Sequence, residues 1–346
     1  MDVQKNISMG WLTVNRACEN RCSWCYAQGA GFDPASSMSR EKAESLVNFM
    51  ADLGIKTVSL IGGEPNLYRD LFYVLDLISQ NGMGIMITSN GRRFSDIRFS
   101  RKMAKYKFQN ISISLKGIDR EQYMRQTNAD GFDDVCQGIK NLAAEGLSPS
   151  LFFTFGRTAL GHIDKTLEFL SSLEANSIAM NFANPVIIDG KARDMDAPDP
   201  VQIADAYTRI IRKIPSIDKD MFLAPSIPLC LLDPDIKAIA IKRKMLTGTC
   251  YARVGSGLIF SPEGEVIPCH QFTDYALGSY GADFTDIGSF KEFWYGDKCL
   301  NLRRMMNNYP SADCIECADW VNCFGGCPIK WFYFHPQRYI KKGVTA

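Results

Sequence analysis

Long apolar runs are missing from this sequence. No segment reaches the roughly 18 consecutive apolar residues that a transmembrane helix needs. The first ten residues, MDVQKNISMG, also lack the order of basic and then apolar residues that defines a secretory signal peptide. We therefore expect a cytoplasmic protein with no membrane partner.

The sequence also has almost no net charge. Its 39 Lys and Arg nearly cancel its 38 Asp and Glu, and no basic patch with interleaved aromatic residues occurs along the chain. Proteins that bind nucleic acid usually carry such a cationic surface for the phosphates. Nucleic acid is therefore excluded as an expected partner.

Cysteine, in contrast, is abundant and clustered. Of the 12 cysteines, three lie within residues 18–25, Cys136 stands alone, and eight lie within residues 230–327. The cytosol keeps thiols reduced, so clustered cysteines there are more often metal ligands than disulfides. The distribution predicts two metal-binding zones.

The first zone has the spacing Cys-x3-Cys-x2-Cys, formed by Cys18, Cys22 and Cys25 in a polar loop after an apolar run. Three thiolates fill three corners of a [4Fe-4S] cubane and leave one iron open for a substrate-like ligand. Structural zinc normally takes four protein ligands. A partial zinc site or a purely structural loop remains the alternative.

Between residue 11 and about residue 213, short apolar runs alternate with amphipathic segments. This is the pattern of βα units around a parallel sheet, and six such units predict an α/β fold, a partial (β/α)6 TIM-type barrel. Active sites of such folds lie at the carboxyl ends of the strands. Four polar segments follow predicted strands and should share this mouth: the cysteine loop, Gly-Gly-Glu-Pro at 62–65, Ser-Asn-Gly at 89–91 and Lys-Gly at 116–117.

The βα pattern stops after residue 213. Residues 214–249 contain several prolines and are interpreted as a linker between the barrel, residues 1–213, and a small Cys-rich domain, residues 250–346. A Ser-Pro-Glu-Gly turn at 261–264 predicts a hairpin in that domain. The domain has little apolar core, so metal clusters should contribute to its folding.

The cysteine loop resembles the signature of the radical S-adenosylmethionine superfamily, in which an aromatic residue, here Tyr26, follows the third cysteine. The resemblance implies that the methionyl group of S-adenosylmethionine chelates the open iron, and that reductive cleavage yields a 5′-deoxyadenosyl radical. It also implies that Gly62, Gly63 and Glu64 bind the methionyl amine. A plain strand-to-helix turn is the alternative for these three residues.

Further cofactor contacts are implied by the same resemblance. Asn90, Ser114 and Arg125 correspond to polar contacts with the ribose and the carboxylate. The sequence departs from the pattern at Lys116, where relatives often carry Asp, and this lysine can equally be a surface charge. Ser114 can equally be an ordinary sheet residue.

The C-terminal cysteines are similar to the SPASM extension of radical enzymes that modify peptides and proteins, so the resemblance covers nearly the whole chain. It implies two auxiliary [4Fe-4S] clusters. Cys250, Cys269 and Cys327 would hold the first, and Cys314, Cys317 and Cys323 the second.

The usual seventh cysteine after Cys327 is missing. The second cluster then has an open iron, takes a ligand such as His335 or an Asp, or is lost altogether. Cys230 is a candidate to complete the first cluster. Cys136 and Cys299 are interpreted as packing residues.

His270 directly follows Cys269. Certain protein-oxidising relatives have an acid-base residue at this point, so the resemblance makes His270 a catalytic candidate that takes a proton from the substrate. A hydrogen bond from His270 to a cluster sulfur is the alternative.

The expected function is that of a peptide or protein maturase, which introduces a crosslink, an oxidation or an epimerisation. The alternative is a dehydrogenase of a small molecule with a single auxiliary cluster. The expected partners are the substrate and a flavodoxin or ferredoxin as reductant. Only 17 residues precede Cys18, so recognition of a leader peptide should need a separate protein or the barrel itself.

Overall fold

A computed structural model describes residues 7–246, 250–308 and 310–340. Among these residues, no helix is both long enough and apolar enough to cross a membrane.

A ten-stranded sheet forms the centre of the molecule, and two further strands pair separately as a short antiparallel hairpin. In chain order the strands are β1 (Met9–Thr13), β2 (Thr57–Ile61), β3 (Gly84–Ser89), β4 (Phe108–Leu115), β5 (Ser150–Phe155), β6 (Ser177–Phe182), β7 (Val186–Ile188), β8 (Lys191–Arg193), β9 (Asp220–Leu223), β10 (Gly257–Phe260), β11 (Glu265–Ile267) and β12 (Gly278–Ser279). The hairpin consists of β7 and β8.

The order of strands in the large sheet is β12-β11-β10-β1-β2-β3-β4-β5-β6-β9. Strands β1 to β6 lie side by side in sequence order, and each neighbouring pair is parallel. Parallel neighbours require a crossover segment, which the intervening helices supply. The predicted α/β fold class is confirmed.

Helices connect the strands and complete the C-terminal part. They are α1 (Arg40–Asp52), α2 (Leu71–Gln80), α3 (Ile97–Met103), α4 (Arg120–Thr127), α5 (Phe132–Ala144), α6 (Ile163–Ser172), α7 (Pro200–Lys213), α8 (Pro234–Lys242), α9 (Tyr251–Val254), α10 (Ile287–Trp294), α11 (Asp297–Met306), α12 (Trp320–Cys323) and α13 (Pro328–Trp331).

Helix α1 shows how local sequence sets these boundaries. The Ser39 hydroxyl accepts a hydrogen bond from the Lys42 N–H at 3.2 Å, a cap that stabilises a helix by about 1 kcal/mol. Leu46 and Met50 are fully buried against the sheet. Gly54 follows the helix with a φ of 86°, which a residue with a Cβ adopts only at a cost.

The structure differs from the expected linker over residues 214–249. Strand β9 lies within it and pairs in parallel with β6, and helix α8 follows. The strand has only four residues, at the edge of the sheet, and one of them, Phe222, is 59% exposed. Such a short edge strand has too little apolar periodicity to be recognised from sequence.

The predicted hairpin in the Cys-rich segment is confirmed by the antiparallel pairing of β10 with β11. It is not separate from the barrel sheet, because β10 lies in parallel beside β1, with Met9 opposite Gly257. A Cβ on Gly257 would stand 2.6 Å from Cζ3 of Trp11, so glycine allows the two strands to pack. The division of the chain at residue 250 therefore does not divide the sheet.

Candidate functional site

The cysteine loop leaves β1 at the carboxyl end of the sheet and is tied down on two sides. The Val14 N–H donates to the Ile61 carbonyl of β2 at 2.9 Å. Further along, the Arg21 and Ser23 N–H groups donate to the carbonyls of Thr127 and Gln126, at the end of α4. Backbone hydrogen bonds to two neighbouring elements thus fix the loop that carries the three thiols.

The three thiols of this loop lie within electrostatic reach of one another. Burial raises the pKa of Cys18 to about 12 and the pKa of Cys25 to about 11, and a charge on Cys22 adds to both shifts. All three are free thiols. At neutral pH they stay protonated until a metal displaces the protons, since thiolate ligands and metal binding are linked.

This donor set suits an iron-sulfur cluster. Within the described ranges, no three His, Cys, Asp or Glu side chains converge closely enough to hold a single metal ion. A cubane places each thiolate on a different iron, so its ligands do not have to converge on one point. We propose Cys18, Cys22 and Cys25 as its ligands.

Gly62 and Gly63 pack directly against the cysteine loop. A Cβ on Gly63 would stand 2.3 Å from the Ala17 carbonyl oxygen, and one on Gly62 would stand 2.4 Å from Asn15 Oδ1. The Gly63 N–H donates to the Asn15 carbonyl at 2.9 Å. The glycines therefore allow close approach of the loop itself, in addition to the approach of a ligand expected from sequence.

The carboxylate of Glu64 joins this turn to the end of β3. Its Oε1 accepts hydrogen bonds from the Ser89 hydroxyl at 2.8 Å and the Asn66 N–H at 3.1 Å, and its Oε2 accepts one from the Asn90 N–H at 2.6 Å. The side chain is buried. Burial raises the pKa of Glu64 to about 7, and the charge of Glu19 also raises it, while these hydrogen bonds lower it.

Asn90 is also buried, and its Nδ2 donates to Glu19 Oε2 at 2.9 Å. Glu19 lies between the first two cysteines of the loop, and sequence reasoning did not identify it. The available signal was an acidic residue inside a loop that has to bind an anionic cluster. A carboxylate there is suited to accept hydrogen bonds from hydroxyl groups of a ligand.

Ser114 and Lys116 lie at the end of β4. Ser114 is buried, and the Lys116 ammonium donates a hydrogen bond to its hydroxyl. The positive charge of Lys116 lowers the pKa of both Cys22 and Cys25, against the larger effect of burial. Lys116 therefore acts on the cysteine loop and is not merely a surface charge.

The structure does not bring the Arg125 side chain into this group. It is 60% exposed and pairs with Glu121, one helical turn earlier, at 2.8 Å. Helix α4 contributes to the mouth through the backbone carbonyls of Gln126 and Thr127 instead. The expected cofactor contact of Arg125 rests on its position in the sequence. That position does not show whether its side chain lies on the inner or the outer face of α4.

His270 and Tyr26 come together from opposite ends of the chain. Their ring centroids are 5.5 Å apart, and the His270 ring also lies 5.9 Å from that of Trp11. Both His270 and Tyr26 line a cavity of about 10 Å³, which has room for about one water molecule. Asn15, Gly62 and Gly63 also line it.

The His270 Nε2 atom is inaccessible to solvent and has no hydrogen-bond partner. Burial lowers the pKa of His270 to about 4. The imidazole is therefore neutral at pH 7. A neutral ring with an unpartnered nitrogen is suited to exchange a proton with a ligand in this cavity.

A wider groove opens beside this cavity, with a volume of about 390 Å³. Arg16 and Thr273 belong to the walls of both. The other charged side chains of the groove are carboxylates, namely Asp33, Glu263, Glu265 and Asp274. Arg16 pairs with Glu263 at 3.2 Å, so the wall has an excess of negative charge.

The C-terminal cysteines separate into two sets. The charges of Cys250 and Cys327 raise the pKa of Cys269, after the larger effect of burial. In the other set, burial raises the pKa of Cys314, and the charges of Cys323 and Cys317 add to this shift. The division of the six cysteines between two cluster sites stays a prediction.

Cys230 lies with the second set and not with the first, contrary to expectation. The thiolate charges that act on it are those of Cys323, Cys314 and Cys317. Its neighbour Leu229 donates its N–H to Cys323 Sγ at 3.2 Å. Cys250 is the next cysteine after Cys230 in the sequence, which favoured a shared cluster. In the fold, however, the segment around Cys230 packs next to Cys314, Cys317 and Cys323.

Two buried cations beside the first set were also missed. Lys330 is fully buried and donates to the Ala183 carbonyl at 3.0 Å, and Arg253 is 3% exposed. Arg253 Nε and Nη2 have no partner, and the thiolate charges that act on it are those of Cys250, Cys327 and Cys323. Buried cations without counterions are costly, so this region fits an anionic group such as a thiolate-ligated cluster.

The remaining two cysteines lie on helices. Cys299 is buried on α11, and Cys136 is half-buried on α5. The cations that act on Cys299 are Arg303 and Lys298, not other thiols. Their interpretation as packing residues stays a prediction.

The chain is similar in sequence to several curated proteins. A probable GTP 3′,8-cyclase of Saccharolobus islandicus is 31% identical over 177 residues, which cover 51% of this chain and 56% of that protein. A probable GTP 3′,8-cyclase of Saccharolobus solfataricus is 31% identical over 206 residues, 59% of this chain and 66% of that protein. The chain thus spans little more than half the length of the first of these relatives.

Two solved structures share the fold over almost the whole chain. The structure of anSMEcpe with bound AdoMet and Cp18Cys peptide is 15% identical, with a TM-score of 0.70 and 96% of each chain covered. The structure of Streptococcus suis SuiB bound to precursor peptide SuiA is 15% identical, with a TM-score of 0.72. The match covers 98% of this chain and 75% of the SuiB chain. At this level of identity the likeness concerns the fold alone.

The barrel segment of the chain matches a known family. Residues 12–170 match the model of the radical SAM superfamily, and they include the cysteine loop, the Gly-Gly-Glu-Pro turn and the ends of β3 and β4. Residues 12–170 of this chain are therefore a radical S-adenosylmethionine (radical SAM) domain.

Proposed function

We propose that this radical SAM enzyme abstracts a hydrogen atom from a residue of a peptide or protein, assisted by auxiliary [4Fe-4S] clusters in residues 250–346. The observation that carries the proposal is the shared cavity of Tyr26 and His270. Tyr26 follows the first cysteine trio, and His270 follows Cys269 of the C-terminal set. The cavity itself has room for one water only, so the substrate would lie in the adjoining groove, whose wall shares Arg16 and Thr273 with the cavity.

Membership of the superfamily implies S-adenosylmethionine and one [4Fe-4S] cluster. When bound, this pair supplies the 5′-deoxyadenosyl radical that removes a hydrogen atom from the substrate. Cys18, Cys22 and Cys25 would hold the cluster. Tyr26, Gly62, Gly63, Glu64, Asn90 and Ser114 would bind S-adenosylmethionine.

Two charged residues would orient the methionyl group. Glu64 is buried with a raised pKa, and an ammonium group beside it would restore its ionised form. Lys116 is the cation that acts on Cys22 and Cys25. We assign the methionyl carboxylate to Lys116 and not to Arg125, which pairs with Glu121 at the surface.

His270 would take the proton that the substrate loses as its radical is oxidised. Its Nε2 has no partner and its imidazole is neutral at pH 7, as a proton acceptor must be. Trp11 and Tyr26 pack against the ring and hold its position. The alternative role, a hydrogen bond to cluster sulfur, predicts a changed cluster spectrum and an unchanged pH profile in a His270 variant.

A peptide substrate is supported by two observations. The chain shares its fold with two proteins whose structures contain peptides. The groove beside the cavity has a volume within the usual range for ligand sites, and it is open. Its carboxylates favour a segment that carries Lys or Arg next to the reacting residue.

The second candidate is a small-molecule reaction, which the 31% identity to GTP 3′,8-cyclases favours. The groove argues against a nucleotide triphosphate, since Asp33, Glu263, Glu265 and Asp274 would repel it. A dehydrogenase of a neutral small molecule with a single auxiliary cluster also belongs to this candidate.

The test uses anaerobically reconstituted protein, chemical reductant or reduced flavodoxin, and S-adenosylmethionine. We expect 5′-deoxyadenosine from the wild type and none from Cys22→Ala. Basic peptides with deuterated side chains should transfer deuterium to the nucleoside, whereas GTP should give no cyclised product. Deuterium transfer from a small molecule alone, or cyclisation of GTP, would refute the peptide assignment.

A further inference from the structure

The segment before the Cys-rich region folds back onto its last cysteines. We propose that Cys230 is the fourth thiolate of a [4Fe-4S] site completed by Cys314, Cys317 and Cys323, so that the auxiliary site lacking a fourth cysteine is that of Cys250, Cys269 and Cys327. The inference rests on the proposed auxiliary clusters. It reverses the assignment that chain order suggests.

Backbone contacts hold Cys230 at this place. It occupies the middle of a 3-10 turn, Leu229–Leu231, whose first N–H donates to Cys323 Sγ at 3.2 Å. Backbone N–H groups that donate to sulfur are typical around iron-sulfur clusters, where they adjust the reduction potential. The turn is therefore in contact with a member of the proposed ligand set.

Two further contacts position the segment just before this turn. The Cys327 N–H donates to the Ser226 carbonyl at 3.2 Å. A Cβ on Gly326 would stand 2.7 Å from the Ile227 backbone, so the two backbones pack with no room for a side chain at this glycine. Residues 226–231 are thus fixed against the segment that carries Cys323 and Cys327.

The helix after the turn is also fastened to the same region. Lys237, on α8, forms an ion pair with Asp319, between Cys317 and Cys323. The thiolate charges of Cys317 and Cys230 both act on Lys237. A cluster bound to both cysteines would carry net negative charge, and a cation close to both would stabilise it.

The thiol chemistry agrees with this grouping. Partial desolvation of the Cys230 sulfur, in a residue that is exposed as a whole, and then the charges of Cys323, Cys314 and Cys317 raise its pKa to about 11. Cys314 and Cys323 are half-buried, and Cys230 and Cys317 are exposed. This set therefore lies at the surface, where an electron donor or acceptor protein can approach it.

The other set differs in its surroundings. Cys250, Cys269 and Cys327 are accompanied by the buried cations Arg253 and Lys330, and Cys269 is followed by His270 of the shared cavity. Without Cys230, this set offers three cysteines. Its fourth ligand would have to be another group, and a donor atom of the substrate is suited to that position.

The test removes the barrel cluster so that only auxiliary iron is measured. A Cys18→Ala/Cys22→Ala/Cys25→Ala variant of the full chain is reconstituted anaerobically, and iron, acid-labile sulfide and the EPR spectrum after reduction are measured. We expect about eight iron per chain, for two clusters. Adding Cys230→Ala should change the EPR signal of one of the two clusters and weaken its retention of iron, since that site then has only three cysteines, whereas Cys136→Ala and His335→Ala should leave both unchanged.

A further variant separates ligand loss from misfolding. Cys230→Ser offers an oxygen ligand and should retain more iron than Cys230→Ala, with a shifted EPR signal, while circular dichroism shows both variants folded. The inference is overturned if Cys230→Ala leaves the EPR spectrum and the retention of iron unchanged, or if His335→Ala changes them instead. If the triple variant binds no iron, the proposal of auxiliary clusters is wrong, and the assignment of Cys230 with it. Formation of 5′-deoxyadenosine by the wild type tests the radical chemistry separately and does not depend on these iron measurements.

Discussion

The imidazole of His270 lies 5.5 Å from the phenol ring of Tyr26, across 244 positions of sequence. Each residue directly follows a cysteine that we propose as a metal ligand. The contact exists because β10 and β11 extend the sheet next to β1 and bring Cys269 towards the loop that carries Cys25.

His270 should be needed after radical formation and not for it. We expect His270→Asn to form 5′-deoxyadenosine at a rate similar to the wild type, while product formation falls by about 10²-fold, the usual contribution of a positioned acid-base group. Both products are measured in the same reaction by mass spectrometry. Phe272→Leu, also buried in this region, serves as a packing control, and equal product from wild type and His270→Asn would reduce His270 to a packing residue.

Binding of S-adenosylmethionine should depend on pH through Glu64. Burial raises the pKa of Glu64 to about 7, so below that pH the folded protein carries a protonated Glu64. A ligand with an ammonium group favours the ionised form, so affinity should fall as pH decreases through 7, by up to about tenfold per pH unit.

Calorimetric titration at pH 6 and pH 8 measures this dependence. Glu64→Gln carries no titrating group and should bind more weakly, with a flat profile between these two values. A wild-type affinity that is equal at both pH values would show that the amine does not bind at Glu64.

Lys116 and Arg125 offer a matched pair of substitutions. Removing Lys116 should lower the affinity for S-adenosylmethionine about tenfold, because its positive charge acts on both Cys22 and Cys25. Arg125 is exposed and paired with Glu121, an interaction that contributes little to stability. Arg125→Met should therefore bind normally, and the reverse ranking of Lys116→Met and Arg125→Met would restore the sequence-based assignment.

Gly63→Ala should displace the cysteine loop. Its Cβ would overlap the Ala17 carbonyl oxygen, at 2.3 Å, and backbone cannot move aside as a flexible side chain does. We expect destabilisation of about 1–3 kcal/mol and loss of cluster iron from the barrel site. Gly161→Ala is the control, since no atom lies within 4 Å of its added Cβ; thermal unfolding and iron content compare the two variants.

Lys330→Met should act on the auxiliary cluster nearest to it. Burial lowers the pKa of Lys330 to about 8, and the charge of Cys327 raises it, so the lysine lies within electrostatic reach of a proposed ligand. Removing a buried positive charge should lower the reduction potential of that cluster and stabilise the cluster-free protein. Potentiometric EPR titration measures the first effect, and thermal unfolding of the cluster-free protein measures the second; an unchanged potential would place the cluster away from Lys330.

Features with local causes could be predicted from the sequence. The helix from Arg40 to Asp52 follows from its cap and its apolar period, and the polar segments after β1 to β4 follow from strand ends. The apolar pattern over residues 289–306 indicates one helix, but the structure has two, which separate at Tyr295 and Gly296. A single glycine in an apolar pattern is a weak signal for such a break.

Features that depend on tertiary contacts could not be predicted. The spacing of Cys314, Cys317 and Cys323 identifies a ligand set, but the association of Cys230 with it depends on a turn and an ion pair formed over about 90 residues. Likewise, the role of Lys116 depends on how the end of β4 faces the cysteine loop. The position of Arg253 among three cysteines requires the same kind of long-range information.

The parallel pairing of β1 with β10 has a consequence for biosynthesis. Strand β1 leaves the ribosome well before one of its two neighbours in the sheet, β10, which is made about 250 residues later. Closing a loop of that length is slow compared with local helix formation. The cysteine loop therefore lacks part of its final support until β10 has been made, and insertion of iron and sulfide into the completed site should follow that step.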